Sequence, residues 1–384
     1  MKVSVSVFGR FHFFDLAKQL NDKRLLFQLV TTYPKFKVRE WGVNKKIVIG
    51  IVVLELCKRV FIKLNFYRPA IEVFLKKTYG LISLRSVSKN TDIFIFLAGN
   101  GFNSRLIKKL QRSNVVCIAD EASSHVLIHE KILSDEYKEL GIKNNKKHAK
   151  EIVKETLLEY HLADYITVPS SFVKRSMNEA GINPEKIFVN PYGVDLSQFK
   201  QIPKQDNIFR VIFCGNLSIQ KGSHYLLQSI YELNLEDFEC WHIGKISSEM
   251  EVFIKKYRTK KMKYKGVQPQ SELYKLYSQG SVFCMPSLQE GMAMVQLQAM
   301  ACGLPLICTT NTGGDDLITA DGKEGFVIPV KSVDSIKEKI NYLYKNRSEC
   351  REMGLKARQR VSKGFTWNDY GDRYTLFLES VINK

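Results

Sequence analysis

The stretch LSQFKQIPKQDNIFRVIFCGNLSIQKGSHYLLQSIYEL, residues 196–233, decides how the chain is divided. Its first part, residues 196–207, is polar and interrupted by Pro203, and reads as a linker. FRVIFCGN is then a short apolar run ended by Gly215, the pattern of a buried strand. KGSHYLLQSIYEL follows with apolar residues at helical spacing. A strand, a loop and a helix in that order form the unit of a parallel sheet wound with helices.

The same unit recurs on both sides. Downstream, FECWHIG, KMKYKG, SVFCMPS, LPLICTT and EGFVIPV read as strands, most of them followed by helices. Upstream, KVSVSVFG, LLFQLVTT, TDIFIFLAG, VVCIAD, YITVPS and KIFVNPYGVD do the same. Residues 45–80 are basic, apolar and helical in period, and residues 135–163 are polar and helical. FTWNDYGDRYTLFLESVINK adds an aromatic-rich helix after the second alternation is complete. The expected architecture is α/β, with two doubly wound domains in tandem. Residues 1–195 form the first, 196–207 the linker and 208–365 the second. Two such domains place their ligand in the cleft between them, beyond the carboxyl ends of the strands.

The totals fit this division. A chain of 384 residues, 45% apolar and 25% charged, can bury two sizeable cores. The formal charge of +19 is large and uneven: residues 35–89 hold thirteen Lys and Arg against Glu40, Glu55 and Glu72. A phosphorylated substrate, an anionic membrane surface or nucleic acid would each suit such charge. No basic stripe with interleaved exposed aromatics and no zinc or helix-turn-helix pattern supports nucleic acid. The eight Cys fall inside apolar runs without a C-x-x-C pair, as small buried hydrophobes in a reducing compartment. MKVSVSVFG alternates like a strand rather than a secretion signal, and IVIGIVVL is too short to span a bilayer, so a cytoplasmic protein is expected.

Three stretches, and the turn after the first strand, could carry chemistry. In FCGNLSIQKG, Gly215 and Asn216 end a strand, and Lys221 and Gly222 open a helix. A helix amino end with a Lys suits a diphosphate, although a solvent-facing Lys beside a turn reads the same way. In PSLQEGMAMVQLQAMACGLPL, residues 286–306, Glu290 and Gly291 are read as starting a helix. Glu290 could simply cap it; Gly291 would let a ligand approach the backbone, and Gln298 lies two turns further on the same face. In DEASSH, His125 follows a strand and would project at the cleft, although a lone His is more often structural. Gly9 and Arg10 follow the first strand and could meet phosphate. FGRFHF is not the G-x-G-x-x-G fingerprint, which disfavours a nicotinamide or flavin enzyme.

Together these residues resemble glycosyltransferase family 4, whose fold is the two-domain GT-B. PSLQEGMAMVQLQAMACGLPL is similar to its E-G-x-x-x-x-x-x-E helix, and FCGNLSIQKG to its strand–loop–Lys–Gly. Residues 163–195 resemble the end of its first domain, and FTWNDY the start of its last helix. The resemblance covers roughly residues 1–375. It implies that residues 366–384 cross back to the first, acceptor-side domain. It also implies retaining transfer of a hexose from a nucleotide-sugar, most often a UDP-sugar, without a metal or other cofactor. The acceptor would be a glycan or lipid-linked, as in bacterial surface polysaccharide synthesis.

By the same resemblance, Lys221 would hold the donor diphosphate, with Gly215 and Asn216 beside it. Glu290 would meet the donor sugar, and the backbone of Gly291, Met292, Ala293, Met294 and Val295 would surround sugar and phosphate. Gln298 would bind the ribose, Val267 the base, and His125 the sugar from the first domain. Gly9 and Arg10 would lie across the cleft. Two residues depart from the pattern: Asn216 stands where many members have Arg, and Gln298 where the second acid is expected. An epimerase or phosphorylase on the same fold is the alternative reading. The basic segment 35–89 suggests a peripheral place on the inner face of a membrane, against an ordinary helix pair with a solvated basic face.

Overall fold

The structure, a computed structural model, describes residues 1–144 and 147–383. The first sheet contains β1 (Val3–Val7), β2 (Leu26–Thr31), β3 (Val48–Gly50), β4 (Ile93–Leu97), β5 (Val116–Asp120), β6 (Tyr165–Val168) and β7 (Ile187–Val189). The second contains β8 (Phe209–Cys214), β9 (Phe238–Ile243), β10 (Met262–Tyr264), β11 (Val282–Met285), β12 (Leu306–Thr309) and β13 (Gly325–Ile328). Their orders are β3-β2-β1-β4-β5-β6-β7 and β10-β9-β8-β11-β12-β13, with every neighbouring pair parallel. The order reverses between β1 and β4 and again between β8 and β11. Those two switch points open the crevices in which such sheets take ligands.

Burial explains the strands. Every residue of β1, β4 and β8 is buried, because helices cover both faces of each sheet. Phe13, Phe14, Phe94, Phe96 and Phe213 are among the largest fully buried side chains. Each such burial contributes roughly 1.5–3 kcal/mol. Arg210 is the charged exception in β8, and it donates to Glu239 at 2.9 Å and to Asp206 at 2.7 Å.

The last helix, Trp367–Ile382, starts at a capping box made by Thr366 and Asp369. It returns to the first domain. Arg373 donates to Asn190 at 2.9 Å, and the Tyr374 and Thr167 hydroxyls lie 3.2 Å apart.

Three local expectations need correction. The stretch 45–80 is not all helical: it holds the edge strand β3 before the helices Val52–Lys63 and Pro69–Ser86. The polar helix expected over 135–163 is two helices, Val126–Glu139 and Lys150–Leu162. Gly141, at φ +65°, ends the first of them, and residues 145–146 of that stretch lie outside the described residues. Glu290 and Gly291 do not start a helix; the helix begins at Met294.

Candidate functional site

The switch point of the second sheet brings two loops together. One runs from Gly215 at the end of β8 to the helix Ser223–Glu232, and the other from Pro286 at the end of β11 to the helix Met294–Ala301. Leu288 N–H donates to the Gln220 carbonyl at 2.9 Å and ties the loops side by side. Gly222 sits at φ +59°, and a Cβ there would stand 1.9 Å from the Pro286 carbonyl oxygen. Its need for glycine is therefore structural.

Across this junction, the Lys221 ammonium and the Glu290 carboxylate form an ion pair. Both side chains are mostly covered, at 21% and 15% exposure. Glu290 does not cap the helix that follows: Ala293 occupies the N-cap position without a side-chain bond. Glu290 lies in the irregular loop before it, its N–H donating to the Asn311 carbonyl at 2.8 Å.

Gly291 meets the first domain. A Cβ on it would stand 1.9 Å from the Ala122 carbonyl oxygen, and Ser170 Oγ donates to the Gly291 carbonyl at 2.5 Å. The close approach anticipated for a ligand is made here by the neighbouring domain. Met292 and Ala293 are buried behind Gly291, whereas Met294 is exposed.

Beside this junction lies an interdomain cleft of about 1170 Å³. Arg10, Phe11, Asp15 and Trp41 line it from the first domain, and Gln268, Met294, Val295 and Gln298 from the second. Gln298 is 9% exposed, and its Oε1 accepts from the Tyr277 hydroxyl at 3.4 Å. The Arg10 guanidinium stacks 4.8 Å over the Trp41 ring. Phe11 is held at φ +46°, with its ring exposed. Burial pushes the Asp15 carboxyl up to about 6, against the lowering effect of His12 and Arg10.

The other anticipated residues are placed differently. Gly9 is buried at the end of β1, its carbonyl accepting from Thr31 at 2.7 Å. Asn216 and Val267 are exposed beyond β8 and β10. His125 does not project at the cleft. It is the N-cap of the helix Val126–Glu139, its Nδ1 accepting from Leu127 N–H at 3.4 Å, with its ring 5.2 Å from that of Tyr160. Burial lowers its basicity.

The histidine that reaches the second domain is His129, one turn later. Its Nδ1 lies 3.0 Å from Gln289 Nε2 and 3.2 Å from Ser123 Oγ, and burial, then His148, lowers its pKa to about 4. Its helical setting disguised it in the sequence. The four-residue step from His125 was the available signal, because it puts both on one helix face. The pair His12–Asp120 (2.9 Å) is also buried, joining the turn after β1 to the last residue of β5, and Asp120 Oδ2 accepts from Thr167 at 2.8 Å.

The fold has solved structural counterparts along almost all of its length. Anabaena Alr3699/HepE, in complex with UDP-glucose, superimposes with a TM-score of 0.71 over 99% of this chain and 100% of that one, at 14% identity. The fold is GT-B. Within it, residues 195–360 match the family model of the Glycosyl transferases group 1. Two curated relatives align with part of the GT-B chain. The MMP alpha-(1->4)-mannosyltransferase of Mycolicibacterium hassiacum is 24% identical over 58% of this chain and 55% of its own length. The UDP-Gal:alpha-D-GlcNAc-diphosphoundecaprenol alpha-1,3-galactosyltransferase of Escherichia coli is 26% identical over 54% of this chain and 58% of its own. The chain thus spans somewhat more than half the length of these relatives.

Lys221, Glu290, Met294 and Gln298 all fall inside the stretch that matches the family model. The Lys221–Glu290 pair thus stands at the second-domain switch point, and Gln298 on the wall of the cleft beside it. Among the described residues, no group of three or more His, Cys, Asp or Glu is placed to hold a metal ion.

Proposed function

We propose that this chain transfers a hexose from a UDP-sugar to a glycan or lipid-linked acceptor, with retention and without a metal, in the cytoplasmic assembly of a surface polysaccharide. The observation that carries this is the Lys221–Glu290 pair at the β8/β11 switch point. A cation and a carboxylate side by side can each take a different half of a nucleotide-sugar. Lys221 exchanges Glu290 for the diphosphate, and the freed carboxylate accepts from the donor-sugar hydroxyls. Names among the similar proteins support the donor class: Alr3699/HepE was crystallised with UDP-glucose, and the Escherichia coli relative is named for UDP-Gal.

The remaining roles follow the cleft. Gln298 takes the ribose, and the backbone at Met294 and Val295 lies beside sugar and phosphate. Val267 and its neighbour Gln268 offer a surface for the base, and Arg10 faces the donor from the first domain. His125, buried as a helix cap, acts on the donor only by shaping the loop that carries Ser123 and Ser124.

In the reaction, the bond from the anomeric carbon to the diphosphate oxygen breaks and that oxygen leaves with the electron pair. The acceptor hydroxyl attacks from the face it leaves, and its proton passes to the departing phosphate. The chain's task is to stabilise the growing phosphate charge, which Lys221 supplies in a partly covered site.

Thermal-shift titration with UDP-, GDP-, ADP- and CMP-sugars tests the donor, with a shift expected for a UDP-sugar. Lys221→Ala and Glu290→Ala should each reduce turnover by a hundredfold or more, the scale of losing one charge-stabilising group. Circular dichroism should stay unchanged. Near-normal transfer by either folded variant would refute the assignment.

A further inference from the structure

The helices Val52–Lys63 and Pro69–Ser86 show the outside that the sequence left open. The first buries Leu54 and Glu55 and turns Val53, Leu56 and Val60 outward, at 68%, 56% and 54% exposure. These positions are three and four apart, so they form one stripe. Ile62, Leu64 and Phe66 continue it around the turn, and Phe74 and Leu81 face outward from the second helix with Lys77 between them. Of the 22 large apolar side chains exposed among the described residues, nine lie between Phe36 and Leu81. A packed helix pair would bury this stripe.

Cations surround it. The three acids of residues 35–89 are each engaged: Glu40 by Lys37 at 3.0 Å, Glu55 by Arg59 at 2.9 Å and Glu72 by Lys76 at 2.8 Å. The other ten Lys and Arg of the segment, Lys58, Lys63, Arg68, Lys77 and Arg85 among them, have no carboxylate partner among the described residues. No helix among the described residues is long and apolar enough to cross a membrane.

We infer that this face docks on an anionic lipid bilayer, its apolar stripe entering the boundary between headgroups and acyl chains and its cations meeting the headgroups. A bilayer satisfies both halves of the surface at once. A second copy of the chain would cover the stripe, but two-fold pairing would bring unpaired cations against their own images. Nucleic acid would meet the cations and leave an aliphatic stripe unsatisfied.

Docking also has a direction. The helix Val52–Lys63 follows β3 at the carboxyl edge of the first sheet, and Lys58 lies 5.4 Å over the ring of Phe8, beside Gly9 and Arg10. The mouth of the cleft therefore lies near the bilayer, where a lipid-linked acceptor would be. That consequence rests on the proposed transfer; the docking does not.

Flotation of the full chain with vesicles tests this. The chain should float with an equal mixture of phosphatidylcholine and phosphatidylglycerol, stay behind with phosphatidylcholine alone, and be released by salt. The pair Leu56→Asp/Val60→Asp and the pair Lys63→Glu/Arg68→Glu should each weaken partition about tenfold or more. Both should keep the thermal shift of the wild type with a UDP-sugar. Absence of flotation with anionic vesicles at low salt would overturn the inference. So would flotation unaffected by both pairs, or a dimer in sedimentation velocity that Leu56→Asp/Val60→Asp dissolves. If the vesicles bind and no nucleotide-sugar does, the transfer reading fails and the docking stands.

Discussion

Gln298 sets the sharpest question at the scale of a single residue. It stands on the cleft wall with Tyr277 donating to its Oε1 at 3.4 Å. A neutral amide can accept from and donate to vicinal hydroxyls. A carboxylate would accept charge-assisted bonds about twice as strong. Gln298→Glu should therefore tighten UDP-sugar binding by roughly threefold to tenfold in calorimetric titration. Unchanged or weaker binding would move the ribose elsewhere in the cleft. Lys221 and Glu290 were legible in the sequence because each is placed by a turn beside its own strand. The side chain of His125 was not, because the helix start at Val126 turns it into the first domain. Nor was the reason for Gly291: its neighbour, the Ala122 carbonyl, is remote in sequence and belongs to another domain.

At the scale of elements, the loops before the helices Ser223–Glu232 and Met294–Ala301 fix the site. Gly222 joins them through its backbone. Its φ of +59° disfavours any side chain, and a Cβ would press into the Pro286 carbonyl. Gly222→Ala should cost about 3 kcal/mol or more in urea unfolding, from combined strain and overpacking. A loss under about 1 kcal/mol would show that the two loops can part. The strands were readable because parallel strands buried on both faces are short apolar runs ended by turns. The edge strand β3 was missed because three residues before a basic, apolar helix leave no period of their own. The start of the helix at Met294 was missed for another reason. The sequence Glu-Gly-Met-Ala is compatible with helix, and the chain is held out of helix there by bonds to Asn311 and Ser170, which only the tertiary fold supplies.

For the whole molecule, the relation of the two domains matters most, and one buried carboxylate controls much of it. Glu136, on the first domain, is fully buried. It accepts from Tyr225 at 2.7 Å, lies 2.7 Å from His224 Nε2 and pairs with Lys331 at 2.5 Å, all on the second domain. Burial alone would raise its pKa; the bonds from His224, Lys331 and Tyr225 outweigh that and bring it down to about 2. A carboxylate whose folded pKa is depressed adds stability above its ordinary value near 4.5, and that stability is lost as pH falls towards 2. This latch between the domains therefore stays paired throughout the neutral range and weakens as pH falls towards 2. His224 lies in the first turn of the helix that follows Lys221 and Gly222, so the latch also sets where the donor-side loop faces the first domain. Removing the charge of Glu136 while keeping its shape leaves Lys331 with only the more exposed Glu139 and takes the charged acceptor away from Tyr225 and His224, a loss on the order of 2 kcal/mol for bonds to a buried charged group. Glu136→Gln should enlarge the radius of gyration in solution scattering at neutral pH, with both domains still folded by circular dichroism. The wild type should approach the same dimensions only when acidified towards pH 2. If Glu136→Gln keeps the wild-type scattering curve, the contacts of Ser171 with Asp316 and Arg175 with Asp315 hold the domains together instead.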